Sequence, residues 1–516
     1  MPSFVVFICI ALPWLNPFSY GPSPAVVQWL TTLGSLAFIL LWSNRGYLAE
    51  VSTTAWLDAA LISAAVGLLQ YFGASAGFRP WINTSDLGEA FANLRQRNQF
   101  ATLTNIGLAA LLSLMHRYRS NRPLSLASAD SGARLWRVAA ILAAVLLALG
   151  NAASSSRTGL LQLLLLFVMA WVWSRPGGAR LWSVHGVVLL AAALAYVVGA
   201  FALPALAGLD SAASGILGRL HDGESRCLGR LTLWSNVLHL IAQKPWWGWG
   251  WGELDFAHFI TLYPGQRFCD ILDNAHNLPL HLAVELGVPL SVAICGLGIG
   301  LVWRCRPWRE TDPSRQLAWS VLALILLHSM LEYPLWYGPF QMAFGLSVFL
   351  LWKSPKRGPE NPDNPRSPPS GLLQLMAIFL LVTVVYAGWD YRRISQIYQS
   401  PAARDAAYRE NTLEKIQDSW LFRNQVRFAE LTTSTLNPGN AAHFHDMAAD
   451  LLHFSPEPRV VEKLIESAAL MGLEEERQYY LQRYKAAFPQ SYALWLKEEI
   501  DNGAGPGVLQ RDRSEP

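Results

Sequence analysis

Charge is what this sequence has least of. Lysine, arginine, aspartate and glutamate make up 15% of its 516 residues, against about 25% in an ordinary soluble domain. That is too little to cover a water-soluble globule of this size. Cysteine is also scarce, with five in the chain. No Asp-rich run and no His/Cys cluster has metal-ligand spacing, so no metal or other cofactor is expected. No cleavable signal peptide is expected at the start, since no positive segment precedes Phe4 and no clean small-residue cleavage site follows. The net charge of +3 is too small for a disordered chain, and no nucleic-acid partner is expected. Hydrophobic residues, by contrast, make up 52%, and 22 residues are tryptophan. The mean hydropathy of +0.23 reads as an average over a strongly apolar part and a polar part. A polytopic membrane protein with a soluble appendix follows.

A bilayer core about 30 Å thick needs roughly 20 apolar residues per helical crossing. About eleven such stretches are present, near 3–18, 25–43, 54–71, 99–115, 135–150, 159–174, 181–203, 277–303, 316–331, 337–352 and 371–389. With the N-terminus cytoplasmic, Arg45, Arg117, Arg119, Arg122, Arg134, Arg137, Arg175, Arg180, Arg304, Arg306, Arg309, Arg315, Lys353, Lys356, Arg357 and Arg366 all fall on the cytoplasmic side. The short loops facing the other way, 19–24, 151–158 and 332–336, hold one basic residue, Arg157.

This parity puts the loops near 72–98 and 204–276, and the tail after 390, outside the cytoplasm. A connection of about 70 residues greatly exceeds ordinary helix–helix loops and is expected to be a folded or functional element. The tail becomes charged and helical in pattern, with Ala441, Ala442, Met447, Ala448 and Leu451, then Val460, Leu464, Ala468 and Leu470. Its helix pairs resemble tetratricopeptide-type repeats only weakly. The expected fold is therefore all-α, with about eleven transmembrane helices in residues 1–390. A small TPR-like helical domain is expected at 391–502 and a disordered tail at 503–516. The segment 353–370, rich in Pro, Asn and Arg, reads as a linker.

Cys227 and Cys269 share the long extracytoplasmic loop. They read either as unrelated thiols or, in an oxidising compartment, as a disulfide. The densest constellation is D-N-A-H-N-L-P-L-H-L-A-V-E-L-G at 273–287. His276 reads as a polar interface anchor or as a base with a pKa near neutrality. His281 and Glu285 follow at i,i+4 on what the hydropathy gives as a membrane helix, where ionisable groups are costly and mark sites. Arg157 in S-S-S-R-T-G and Arg230 in L-G-R-L-T-L-W read as lipid-headgroup contacts or as bidentate phosphate ligands. The run W-W-G-W-G-W-G after Pro245 reads as an interfacial aromatic belt or a sugar-stacking surface. N-L-R-Q-R-N-Q-F-A-T-L carries Asn98 and Gln99, while L-E-Y-P-L-W-Y-G carries Glu332, Tyr333 and Tyr337.

At these residues the sequence resembles the Wzy/WaaL superfamily of O-antigen polymerases, O-antigen ligases and PglL-type protein O-oligosaccharyltransferases. The H-N-x-x-L-x-x-x-x-E-x-G motif is met by His276, Asn277, Leu280, Glu285 and Gly287. The upstream R-x-x-x-W and P-x-x-G-x-G elements are met by Arg230 and Trp234, then Pro245, Gly248 and Gly250. S-R-x-G is met by Ser156, Arg157 and Gly159. The Asn98–Gln99 segment, the tyrosine-bearing loop and the extended tail resemble the protein-glycosylating branch. That likeness implies Gln99, His276 and Tyr337 (or Tyr333 in its place) as catalytic, Arg157 and Arg230 as pyrophosphate ligands, and Asn277, Glu285 and Trp234 as supporting residues.

The implied enzyme lies in a bacterial inner membrane with its site facing the periplasm. Its donor is a glycan on undecaprenyl pyrophosphate, and its acceptor a Ser or Thr hydroxyl of a pilin-like or other periplasmic protein. A pyrophosphate leaves readily, so the reaction needs cations for the developing charge and a base for the hydroxyl, and no metal. Transfer to lipid A–core (a ligase) and transfer to a second lipid-linked repeat (a polymerase) are the alternatives within the family. Outside it stands a polysaccharide transporter or flippase. That should show several ionisable residues deep in spans or paired broken-helix repeats, whereas Asp58 and Glu285 are nearly the only ones here.

Overall fold

The computed structural model describes residues 2–42, 47–120, 131–174, 184–210, 215–216, 227–353 and 371–501. Among them every regular element is helical. The chain divides into two compact units, Met1–Gly223 with Ile299–Gly388, and Glu224–Gly298 with Trp389–Pro516. Apart from Lys353, the linker at 353–370 lies outside the described residues, as does the disordered tail expected at 503–516.

The first unit begins with α1 (Pro2–Leu15), α2 (Pro24–Trp42), α3 (Leu48–Tyr71), α4 (Arg97–Ser120), α5 (Ser131–Ala153), α6 (Arg157–Ser174) and α7 (Val184–Leu206). The second contributes α8 (Arg230–Gln243), α9 (Leu254–Ile260) and α10 (Leu278–Leu286). The boundary falls within α11 (Val288–Cys305). The first unit then adds α12 (Pro313–Ser329), α13 (Gly338–Lys353) and most of α14 (Gly371–Ser395). The tail completes the second with α15 (Arg423–Thr433), α16 (Ala441–Leu452), α17 (Pro458–Leu470), α18 (Glu474–Ala487) and α19 (Pro489–Asp501).

Water does not drive helices together in a bilayer, so close backbone approach through small residues must do so. In the first unit α3 packs on α4 and α5, and a methyl added at Gly107 of α4 would lie 2.3 Å from Ala60 Cβ. One at Gly150 of α5 would lie 2.9 Å from Ala64 Cβ. Trp14, Trp56, Phe100 and Phe340 are fully buried around these contacts.

Helices stand at each of the eleven stretches read from the sequence. Among the described residues seven helices are long and apolar enough to cross a membrane: Ala25–Trp42, Leu48–Tyr71, Arg134–Ala153, Arg157–Ser174, His185–Leu206, Val288–Arg309 and Gly371–Tyr398. Ser3–Leu15 and Gly338–Trp352 are apolar but shorter. The helices α4 and α12 are not among them; α12 is 17 residues long, and both bury polar side chains, Gln99, Thr102 and Asn105 on one and Ser320, His328 and Ser329 on the other.

The stretch read as a single span at 277–303 is two helices. Gly287, at φ +88°, ends α10, and Val288 N donates to Pro245 O (2.8 Å) as α11 begins. The apolar run is continuous across this break, so hydropathy alone merges its two halves. His281 and Glu285 therefore sit on a nine-residue helix packed against α8, outside the candidate span that starts at Val288.

In the second unit the long loop folds together with the tail. Phe259 of α9 joins Phe444, Leu451, Leu464 and Tyr484 in one apolar cluster. Arg483 Nε donates to Ile260 O (2.8 Å), and His453 meets Glu253 at 2.7 Å with its ring stacked on Phe256. Of the periodic tail residues, Ala441, Met447, Ala448, Leu451, Val460, Leu464 and Ala468 are buried, as the helical spacing requires. Cys227 and Cys269 form a disulfide, with Cα atoms 5.4 Å apart.

Replacing both cysteines by serine should cost about 4 kcal/mol by the chain-entropy estimate for a loop of this length. The expected readout is a lower melting temperature in detergent and faster proteolysis between the two positions. An unchanged melting temperature would contradict a stabilising crosslink.

Candidate active site

The second unit holds His276, Arg230, Trp234, Asn277 and Glu285. Trp234 Nε1 donates to Ala275 O (3.1 Å), which ties the chain just before His276 to α8, the helix that Arg230 begins. Asn274 Oδ1 accepts from His276 N (2.9 Å), and Asn277 Oδ1 caps α10 by accepting from Leu280 N (3.1 Å). Between these two asparagines His276 is held at φ +50°, a left-handed conformation that non-glycine residues adopt at a cost. Its imidazole is half-buried and lies close enough to act electrostatically on both Asp273 and His281.

Under His276 the helix α10 is locked by backbone contacts with the Trp/Gly run. Trp249 N donates to Val284 O (2.9 Å) and Gly250 N to Glu285 O (3.0 Å). A methyl on Gly248 would fall 2.3 Å from Glu285 O, and one on Gly287 would fall 2.2 Å from Trp246 O. Both glycines have positive φ, so these two positions need glycine for space and for conformation alike. The run itself is split. Trp249 is half-buried with Lys244 Nζ 4.0 Å over its ring, while Trp246, Trp247 and Trp251 are 71%, 89% and 63% exposed.

His281 Nε2 and Glu285 Oε2 are 3.4 Å apart and both residues are buried. They are not an ion pair at neutral pH. Burial lowers the His281 pKa to about 4, with His276 adding to it, and burial raises Glu285 to about 7 despite the hydrogen bond from Gly252 N. Burial also brings Asp255 to about 7, reinforced by Asp273 and Glu253. This corner thus holds two carboxyl groups that are neutral or half-ionised where ordinary ones are fully charged.

The first unit holds Gln99, Arg157 and Tyr337. Gln99 is buried near the start of α4, and its Oε1 has no hydrogen-bond partner among the described residues. Arg157 is exposed at the first position of α6. Tyr337 is half-buried and stacks on Tyr333, ring centres 5.9 Å apart. Beneath them lies a polar layer that the sequence reading missed. Thr102 Oγ1 is 2.9 Å from His328 Nδ1, and Gln162 Nε2 donates to Thr102 Oγ1 (3.0 Å) and Leu324 O (2.9 Å). Asn105 Nδ2 donates to Gly159 O (3.0 Å). The available signal was the spacing of Asn98, Thr102 and Asn105, a polar stripe at helical period along an otherwise apolar helix.

Comparisons with known proteins fall on these same segments. Residues 90–114, around Gln99, match the family described as "Protein glycosylation ligase". Residues 142–295, which include Arg157, Arg230 and His276, match "O-Antigen ligase". Residues 316–500, from α12 through the tail, match "Virulence factor membrane-bound polymerase, C-terminal". A "General O-oligosaccharyltransferase" of Acinetobacter baylyi is 23% identical over 343 residues, 63% of this chain and 54% of that protein. The chain thus spans about half the length of the curated relative it matches.

Glu285 yields a pH prediction. Its pKa rises from 4.5 to about 7 on folding. Across that window the folded chain keeps a proton that the unfolded chain has released, so stability falls as pH rises. His281 runs the opposite way, since its pKa is lowered from 6.5 to about 4, but it is common to parent and variant. The melting temperature of Glu285→Gln relative to the parent should therefore climb from about pH 5 to about pH 8. A difference that stays constant over this range would contradict a neutral, buried Glu285.

Proposed function

We propose that this chain, a member of the Wzy/WaaL superfamily on its protein-glycosylating side, is an oligosaccharyltransferase of the bacterial inner membrane. It moves a glycan from undecaprenyl pyrophosphate to Ser or Thr hydroxyls of periplasmic proteins, pilin-like ones among them. Eleven helices, α1–α7 and α11–α14, serve as its crossings, and α8–α10 with the tail face the periplasm. The observation that carries the reading is the protein-glycosylation match at 90–114, which falls on the segment bearing the buried Gln99.

The acceptor oxygen attacks the anomeric carbon, the bond from that carbon to the pyrophosphate oxygen breaks, and configuration inverts. The hydroxyl proton passes to His276, whose backbone is held by Asn274 and by the Asn277 cap that follows it and whose imidazole lies within electrostatic reach of Asp273. Arg157 and Arg230 hold the departing pyrophosphate, so its growing negative charge is met by guanidinium groups without a metal. Gln99 and Tyr337 are assigned to the same reaction. Trp234, Asn277 and Glu285 hold the His276 segment in place.

The O-antigen ligase reading, with lipid A–core as acceptor, has the match at 142–295 in its favour. The segment around Gln99 and the Acinetobacter relative favour a protein acceptor.

His276→Ala should abolish transfer, measured with purified protein, lipid-linked donor and an acceptor protein, while the amount of protein in the membrane stays normal. Retained transfer would remove His276 from the mechanism. Arg230→Ala should raise the donor KM at least tenfold more than the acceptor KM, and equal effects on both would contradict a pyrophosphate role.

A further inference from the structure

Gln99, Arg157 and Tyr337 come from three segments of the first unit: the start of α4, the turn entering α6, and the loop between α12 and α13. One side chain on the first of these segments touches the other two. Asn98 Nδ2 donates to Glu332 Oε1 at 3.1 Å, and Asn98 Oδ1 accepts from Ser156 Oγ at 2.6 Å. Its backbone carbonyl accepts from Thr102 Oγ1 at 2.8 Å. These partners are 58 and 234 residues away in sequence, so only the tertiary fold brings them to one amide.

The chemistry of the contact is directional. Ser156 gives its only hydroxyl proton to Asn98 and accepts from Gly159 N (3.0 Å), which caps the first turn of α6 immediately before Arg157. The Asn98 amide presents its acceptor to that hydroxyl and its donor to a carboxyl, an assignment the partners impose. Ser156 and Glu332 are both buried, so water does not replace either bond cheaply.

We propose that Asn98 is a positioning residue, a tie that fixes the relative register of the segments carrying Gln99, Arg157 and Tyr337 and acts through Ser156 and Glu332. The inference rests on the reading of those three residues as serving the transfer. Displacing a binding group by about 1 Å can cost on the order of a hundredfold in rate, so a tie of this kind governs how well the donor is held.

The test is a swap. Asn98→Asp sets a carboxyl against the Glu332 carboxyl. The double variant Asn98→Asp/Glu332→Gln restores one amide and one carboxyl with their places exchanged, and leaves an acceptor for Ser156. With purified protein and lipid-linked donor, Asn98→Asp should raise the donor KM at least tenfold with a much smaller change in kcat. The double variant should return to within about threefold of the parent, a non-additivity that marks direct coupling. Should Asn98→Asp not accumulate, Ser156→Ala removes the arm to α6 and should give the same rise in donor KM.

Either single variant within twofold of the parent would overturn the tie. So would an Asn98→Asp defect that the double variant fails to repair at a normal melting temperature, since Asn98 would then act on substrate itself. Parent protein that transfers nothing would overturn the functional reading and the tie with it. Parent transfer with unaffected variants would overturn the tie alone.

Discussion

At Gly248 and Gly287 two stretches of backbone meet with no room for a side chain, and the arrangement around His276 follows from that meeting. The contact pairs the Trp/Gly run with the C-terminal end of α10, through Trp249 N to Val284 O and Gly250 N to Glu285 O. With α10 fixed at that end, Asn277 caps it at the other, and the residue before the cap is forced to φ +50°. Trp234 and Asn274 hold the approach from the other side. A half-buried imidazole is thus kept in a costly backbone conformation by contacts on both flanks, the usual economy of a site whose geometry matters more than its local stability. The same contact buries Glu285 and leaves it with a backbone N–H and a neutral imidazole as company, which is why its proton is retained.

The first unit meets a different constraint. Most of its helices are apolar enough for a bilayer, yet α4, α6 and α12 bury amides, hydroxyls and an imidazole among themselves. In such surroundings a polar group without a partner is expensive, and Thr102, Gln162, Asn105 and His328 Nδ1 meet one another or nearby carbonyls. That layer lies just beneath the Asn98 contacts to Ser156 and Glu332. The buried polar groups of these helices are therefore what fixes the segments bearing Gln99, Arg157 and Tyr337.

Much of this was legible in the sequence because it depends on local pattern. Helical periodicity located the tail helices down to Met447, Leu451 and Leu464, and the Cys227–Cys269 pairing was among the readings weighed. What was not legible depends on contacts distant in sequence. The break at Gly287 is invisible to hydropathy because apolar residues continue through it, and only the approach of the Trp246 carbonyl makes it a break. The joining of α9 to the tail rests on Phe259 and Arg483, residues with no pattern linking them. The tryptophan run could not be divided in advance into a packed Trp249 and three exposed neighbours, since repeating W-G units look alike until the backbone folds. Asn98, Thr102 and Asn105 did carry a period, but its meaning came only with their partners on α6 and α12.

The central claim is that the glycan goes to protein, and the most direct measurement is the intact mass of a pilin-like acceptor. The acceptor would be made together with this chain and a lipid-linked glycan pathway in a host without its own O-antigen ligase. The account predicts a glycan-sized mass increment on the acceptor. An unmodified acceptor, with the glycan found instead on lipid A–core, would contradict it and make the chain an O-antigen ligase.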